Sequence, residues 1–293
     1  MLLNASGCLD ALTAPDVARS LDAFVTKTVT PLPRDGNEPV RIAETDVGML
    51  NSIGLANPGI DRFLTRNLTQ LAKLGVPVWV SVGGFETDDY AEICLRLDDH
   101  AEVAAIELNV SCPNVDAPAD SAAQIVAAAR LATRKPLWAK LSPSVPDIAE
   151  VARAAQAAGA DGLSLVNTVR GLKLDGRTLR PVLGPGQGGL SGPALKPIAL
   201  AAVATCYRAT GLPIVGMGGV QTGQDALELI AVGARHVALG TVLFADPDAP
   251  ARVRAELHAA TAEHGWKTFE DAFAVAVEEP LSVGATLDNR SSV

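Results

Sequence analysis

Eight short apolar runs alternate with Ala-rich amphipathic stretches along the 293 residues, and no break in composition separates them. Three of the amphipathic stretches stop at a glycine (Gly159, Gly211, Gly233), where a left-handed helix cap belongs. Two long polar excursions each follow an apolar run. Together these predict an α/β chain folded as one (β/α)8 TIM barrel, residues 1–293 forming a single domain, with the excursions on the C-terminal face. A doubly wound open sheet is the architectural alternative.

The expected strands are Leu2–Ser6, Ala23–Thr28, Pro77–Val82, Ala105–Ser111, Pro136–Ser142, Gly162–Asn167, Pro213–Gly218 and His236–Thr241. Each has the length and near-continuous apolar character of a strand covered on both faces. The expected helices start near Thr13-Pro15 and Pro58, at Thr87 as an N-cap followed by acidic residues, and at Asp120, Pro146, Pro193, Thr222 and Ala249. The excursions are Val29–Leu50, with Pro31, Pro33 and Pro39, and Val169–Ser191, with Asp175-Gly176 and a glycine cluster. Beyond Trp266 no periodicity stands out, and irregular structure or a short helix is expected.

The 33 Asp+Glu outnumber the 24 Lys+Arg, a formal charge of -9. That argues against a nucleic-acid binder, which carries a basic face. No apolar run nears the ~18–20 residues of a membrane span. The first twenty residues lack a basic stretch followed by an apolar one, so a cytoplasmic protein is expected. Cys8, Cys94, Cys112 and Cys206 lie far apart without a C-x-x-C pair, so neither a metal centre nor a disulfide framework is expected.

The strand ends carry the chemistry. They read Asn4-Ala5-Ser6-Gly7, Lys27-Thr28, Ser81-Val82-Gly83-Gly84, Asn109 to Asn114, Lys140-Leu141-Ser142, Asn167-Thr168, Gly218-Gly219 and Gly240-Thr241. Packing alone does not demand polar groups or paired glycines at all eight. Gly218-Gly219 would admit a phosphate to backbone N–H groups, or simply make a tight turn. Lys27 and Lys140 in apolar runs call for an anion or polar partner, unless they snorkel to solvent. Asn51, Asn109 and Asn167 offer paired donors and acceptors for an amide- or imide-rich ligand, or serve as turn residues. Cys94 and Cys206 read as core fillers, and Cys8 is open to either reading. Cys112 stands among the polar candidates and is the expected reactive thiol. No histidine is placed to act as a base. Gly184 to Gly189 matches G-x-G-x-x-G, but it follows a polar segment and no helix opens before Pro193, so it reads as a flexible loop.

Asn4-Ala5-Ser6-Gly7, Asn51-Ser52-Ile53-Gly54-Leu55, the run Glu107 to Asn114 (ELNVSCPN), Ala139-Lys140-Leu141-Ser142-Pro143, Gly188 to Pro193 (GGLSGP) and Gly216-Met217-Gly218-Gly219 resemble dihydroorotate dehydrogenases. The resemblance is collinear from about Leu3 to Asp246. It implies an FMN-containing barrel that oxidises (S)-dihydroorotate to orotate in pyrimidine biosynthesis. Cys112 would be the base that removes the C5 proton while C6 gives hydride to flavin N5. A cysteine in that place is similar to the soluble class 1 enzymes. Lys27, Asn51, Ser52, Ile53, Gly54, Leu55, Asn109, Asn114, Asn167 and Thr168 would hold substrate. Ser6, Lys27, Thr28, Ser81, Asn109, Lys140, Val166, Gly192, Gly218, Gly219, Gly240 and Thr241 would hold FMN, with Lys140 beside the flavin ring.

Asn167 to Asp175 and the GGLSGP run look like class 1B, which passes electrons to NAD through a subunit carrying FAD and an iron–sulfur cluster. The expected assembly is a homodimer, or a heterotetramer with that subunit; fumarate, the class 1A acceptor, is the alternative. The chain departs from the family in a short Val115–Ala119 loop, in Ser81 where Asn is frequent, and in Cys8-Leu9-Asp10 after Gly7. A relative using another dihydropyrimidine, a flavin-binding relative without turnover, and a Lys140 Schiff-base lyase are the competing readings. The last leaves Cys112 and the three asparagines without a role.

Overall fold

A computed structural model describes residues 1–110 and 118–278. The described strands are, in chain order, β1 Leu2–Asn4, β2 Phe24–Val25, β3 Ile42–Thr45, β4 Gly48–Asn51, β5 Val78–Val82, β6 Val103–Asn109, β7 Leu137–Leu141, β8 Gly162–Leu165, β9 Val169–Leu172, β10 Gln187–Ser191, β11 Ile214–Met217 and β12 His236–Leu239. Eight of them, each falling in or overlapping an apolar run identified above, form one parallel sheet in the order β1-β12-β11-β8-β7-β6-β5-β2. A parallel bridge between Leu3 and Ala23 joins β1 to β2 and closes the ring. Helices fill the crossovers, as a right-handed parallel connection requires. The open-sheet alternative is thereby excluded.

Alternation of side chains separates two cores. Outward residues such as Val80, Ile106, Leu108, Leu137, Ala139 and Leu163 pack beneath the helices. Inward residues Leu3, Val25, Trp79, Ala105, Trp138, Val215, Met217 and Ala238 fill the barrel. Trp79 and Trp138 meet there with ring centroids 4.9 Å apart. Gly162 makes room for them, since a Cβ at that position would lie 2.4 Å from the Trp138 ring. With apolar bulk filling the lower layers, the polar inward residues are left to the upper end.

Helix punctuation follows the sequence closely. Gly159, Gly211 and Gly233 all take positive φ, at +103°, +66° and +109°. Thr222 caps Gly223–Ala231 in a reciprocal box with Asp225. One boundary is corrected: Thr87 is already the first helical residue of Thr87–Asp98, and Glu86 is the cap. The Asp89 carboxylate accepts from the Phe85 and Glu86 N–H groups at 2.7 and 3.2 Å. Asp89 reaches back over the first turn, so the cap is Glu86 and the helix starts at Thr87 itself. Residues 59–74 form one irregular helix with a π-helical centre, Phe63–Leu68. The tail contributes two short turns, Phe269–Ala272 and Val275–Glu278.

The two excursions meet as a second sheet, antiparallel in the order β3-β4-β10-β9. Asn51 pairs with Gly189 and Arg170 with Gly189 from the other side. This corrects the flexible-loop reading of Gly184 to Gly189, whose second half lies in β10. The glycines there serve close approach of backbone rather than mobility. A Cβ at Gly188 would lie 2.5 Å from the Asn51 carbonyl oxygen, and one at Gly189 would lie 2.0 Å from Thr168 Oγ1.

Candidate active site

The small sheet and the C-terminal ends of the barrel strands enclose a cavity of about 1990 Å³. Its lining includes Ser6, Lys27, Thr28, Asn51, Ser52, Ile53, Gly54, Leu55, Ser81, Asn109, Lys140, Val166, Asn167, Thr168, Gly192, Gly218, Gly219, Gly240 and Thr241. Every sequence candidate within the described residues therefore lines this one space. Cys112 and Asn114 lie outside the described residues. Among the described residues no histidine lines the cavity and no cluster of His, Cys, Asp and Glu could hold a metal ion.

Hydroxyls knit β1, β2 and β5 together at one side of the floor. Ser6 Oγ donates to the Thr26 carbonyl at 2.8 Å, Thr28 Oγ1 and Ser81 Oγ are 3.0 Å apart, and the Ser81 N–H donates to Thr26 Oγ1 at 3.1 Å. Beneath them the buried Asn4 amide clamps Val25 through both its groups, at 2.7 and 2.8 Å. Opposite, the asparagines are pre-oriented. Asn167 Nδ2 donates to Asn109 Oδ1 at 3.2 Å, and Asn167 Oδ1 accepts from the Thr168 N–H at 2.8 Å. Tyr90 fixes the end of β6 by donating to the Asn109 carbonyl at 2.9 Å. Asn51 Nδ2 reaches the Gly189 carbonyl at 3.2 Å, and Thr241 Oγ1 donates to Ser191 Oγ at 2.9 Å, tying the small sheet to the barrel rim.

Two lysines stand on the floor. Lys140 is 6% exposed. Burial, then the neighbouring Lys140 charge, push the Lys27 ammonium below the ordinary lysine range. The Lys27 stem lies against Gly7, whose φ is +78° and whose place a larger residue could not take: a Cβ there would lie 2.9 Å from Lys27 Cδ. Cys8 follows on the same turn and lines the cavity, its thiol pushed up by burial against the opposing pull of Lys140 and Lys27. At the far side Gly218 and Gly219 take φ of +122° and +79°, a turn that only glycine makes freely twice in succession.

Sequence reasoning passed over several residues here. Glu107, 1% exposed, points inward from β6, and its Oε1 lies 3.5 Å from Lys140 Nζ without a hydrogen bond. An acid within an apolar strand was the available signal. Ser164, next to Lys140 across the β7–β8 ladder, is fully buried, and its hydroxyl has no hydrogen-bond partner among the described residues. Asn37 donates to Ser52 Oγ at 2.8 Å and so shapes the segment Ser52 to Leu55. Nothing local in the sequence marks that contact.

The family model described as dihydroorotate dehydrogenase matches residues 1–260. A Desulforudis audaxviator (strain MP104C) protein named dihydroorotate dehydrogenase B (NAD(+)), catalytic subunit, is 47% identical over 253 residues, 84% of this chain and 82% of that one. A Solibacter usitatus (strain Ellin6076) protein provisionally named dihydroorotate dehydrogenase A (fumarate) is 48% identical, covering 81% of each chain. The crystal structure of an Eimeria tenella dihydroorotate dehydrogenase in complex with ferulenol superposes with a TM-score of 0.80 over 95% of this chain and 85% of that one. At 24% identity this last likeness speaks to the fold alone. The eight-stranded barrel, the cavity on its C-terminal face and the match over residues 1–260 lead to one conclusion: this chain belongs to the dihydroorotate dehydrogenase family, whose members are flavin-dependent oxidoreductases.

Proposed function

We propose that this single-domain chain binds FMN and oxidises (S)-dihydroorotate to orotate in its C-terminal cavity. The observation that carries the reading is the convergence of the two lysines, the paired Asn109 and Asn167 amides and the Gly218-Gly219 turn on one space. The residues fit the cofactor. The cavity exceeds the ~300–1,000 Å³ usual for one small ligand, which leaves room for flavin and substrate together. Gly218, Gly219, Gly240 and Thr241 end two adjacent strands where barrels hold phosphate. The buried Ser164 hydroxyl beside Lys140, unpartnered among the described residues, marks a polar floor suited to a heteroaromatic edge.

Bound FMN supplies a hydride acceptor for substrate C6. The chain supplies the rest. Cys112, three residues past Asn109 in the sequence, is the base for the C5 proton, so that C5=C6 forms as the proton goes to sulfur. Asn51, Asn109 and Asn167, with Asn114, hold the amide and imide edges of the ring. Thr168 and Ser52 to Leu55 close over it. Lys27 meets the substrate's carboxylate and the flavin edge. Lys140 holds positive charge where reduction places negative charge. Ser6, Thr28, Ser81, Val166 and Gly192 complete the flavin bed.

The names of the B-type relatives, with NAD(+) and a catalytic subunit, favour NAD as final acceptor through a further subunit; the family resemblance adds FAD and an iron–sulfur cluster on that subunit, and a homodimer of this chain is the proposed core. The A-type relative favours fumarate. No helix among the described residues is long and apolar enough to cross a membrane; the setting proposed for the enzyme is the cytoplasm. Assay of the purified chain with fumarate, and of the complex from its native source with NAD, tests the choice: turnover with fumarate alone would overturn the NAD reading.

A further inference from the structure

Glu107 has no part in the chemistry just described, yet it is among the most deeply buried charged groups in the molecule. It sits two residues before Asn109 on β6, so both point into the barrel. Register places Asn109 beside Lys140, and Glu107 beside Trp138, one layer lower. The carboxylate thus looks up at the Lys140 ammonium from the apolar layer below, at 3.5 Å. Burying a carboxylate is costly unless a cation meets it, and burying an ammonium is costly for the same reason. Among the described residues the titratable groups about Lys140 are Glu107 on β6, Lys27 past β2 and Cys8 past β1; Lys140 and Cys8 act on the charge of Lys27, and Lys140, Lys27 and Glu107 on that of Cys8. Of these, Glu107 is the one carboxylate.

We propose that Glu107 is a positioning residue whose buried carboxylate pairs with Lys140 at 3.5 Å and seats its ammonium beneath the cavity. The pair thereby fixes where Lys140 presents its ammonium toward the flavin. The role rests on the flavin reading only for what Lys140 faces; the pairing itself is a property of the chain alone.

Competitive acylation, read at Lys140 by peptide mass spectrometry across pH, tests this on the full chain both with and without added FMN. In Glu107→Gln the Lys140 acylation midpoint is expected to fall by about one pH unit or more, the usual effect of losing an adjacent opposite charge. Glu107→Asp is expected to recover most of that fall. The alkaline limb of the dihydroorotate oxidation profile should move with it. An unchanged acylation midpoint in Glu107→Gln overturns the proposal. If that variant does not accumulate as folded protein, the double variant Glu107→Gln/Lys140→Gln is expected to do so, because neither charge is then left alone. A double variant that folds as poorly as the single one overturns the pairing. Because acylation needs no flavin, failure to bind FMN would overturn the proposed function and leave this test intact.

Discussion

Replacing Lys27 by Met removes one charge and keeps the stem that packs on Gly7. The proposed function puts that ammonium against the substrate carboxylate, in a cavity where Lys27 is already half-buried. A hydrogen bond to a charged partner contributes about 1.5–3 kcal/mol. At about 1.4 kcal/mol per decade, its loss weakens binding roughly 10- to 100-fold. Lys140 remains on the floor and keeps some of the field, which favours the lower part of that range. Orotate binding is read from the perturbation of the flavin spectrum during titration. The pH dependence sharpens the test. The Lys27 ammonium is held below its ordinary value, so wild-type affinity should fall with rising pH before the ~10.4 of a free lysine is reached. Lys27→Met should lack that limb. An unchanged dissociation constant, or a limb that persists in the variant, would refute the placement of Lys27 at the carboxylate.

Four other outcomes are expected. Cys112→Ala should retain FMN and orotate affinity while anaerobic bleaching by dihydroorotate slows by at least about 100-fold, and wild-type bleaching should rise through the ~8.5 of a thiol; undiminished bleaching removes Cys112 as base. Burial holds His236 at about 4 against 6.5 unfolded, so the unfolded chain takes the proton first and stability is lost as pH falls from about 6.5 to 4. The full shift is about 3 kcal/mol, which partial exposure screens to about 1–2 kcal/mol; thermal unfolding of His236→Gln should show that much less loss over the window, and identical slopes would dismiss it. Gly162→Ala drives a methyl into Trp138 and should cost about 1–3 kcal/mol in denaturant unfolding, with a change in tryptophan emission; a neutral result would contradict the packing of the barrel floor. Gly189→Ala forces β10 off Thr168, at some cost in stability, and should weaken orotate binding by the folded protein, so an unaltered affinity would separate the small sheet from substrate.

The barrel was legible because its signals are local. A strand covered on both faces must be apolar throughout, and Gly159, Gly211 and Gly233 end the helices where the chain turns back. The small sheet was hidden for the opposite reason. β3 is half exposed and β10 (QGGLS) holds two glycines and a single apolar side chain, so neither carries a periodic apolar face. What makes β10 a strand is its antiparallel pairing with β4 and β9, contacts between segments far apart in sequence. The same holds in the cavity. Candidates at strand ends could be named one by one because every barrel gathers them on one face. Glu107 could not, since its partner is on the next strand and only the β6–β7 register brings Lys140 within 3.5 Å.

The most direct test is anaerobic addition of (S)-dihydroorotate to the purified chain loaded with FMN, followed by absorbance near ~450 nm and by product analysis. The account predicts one orotate formed for each flavin bleached. A chain that takes up no FMN, or whose bound FMN stays oxidised with dihydroorotate intact, would contradict it.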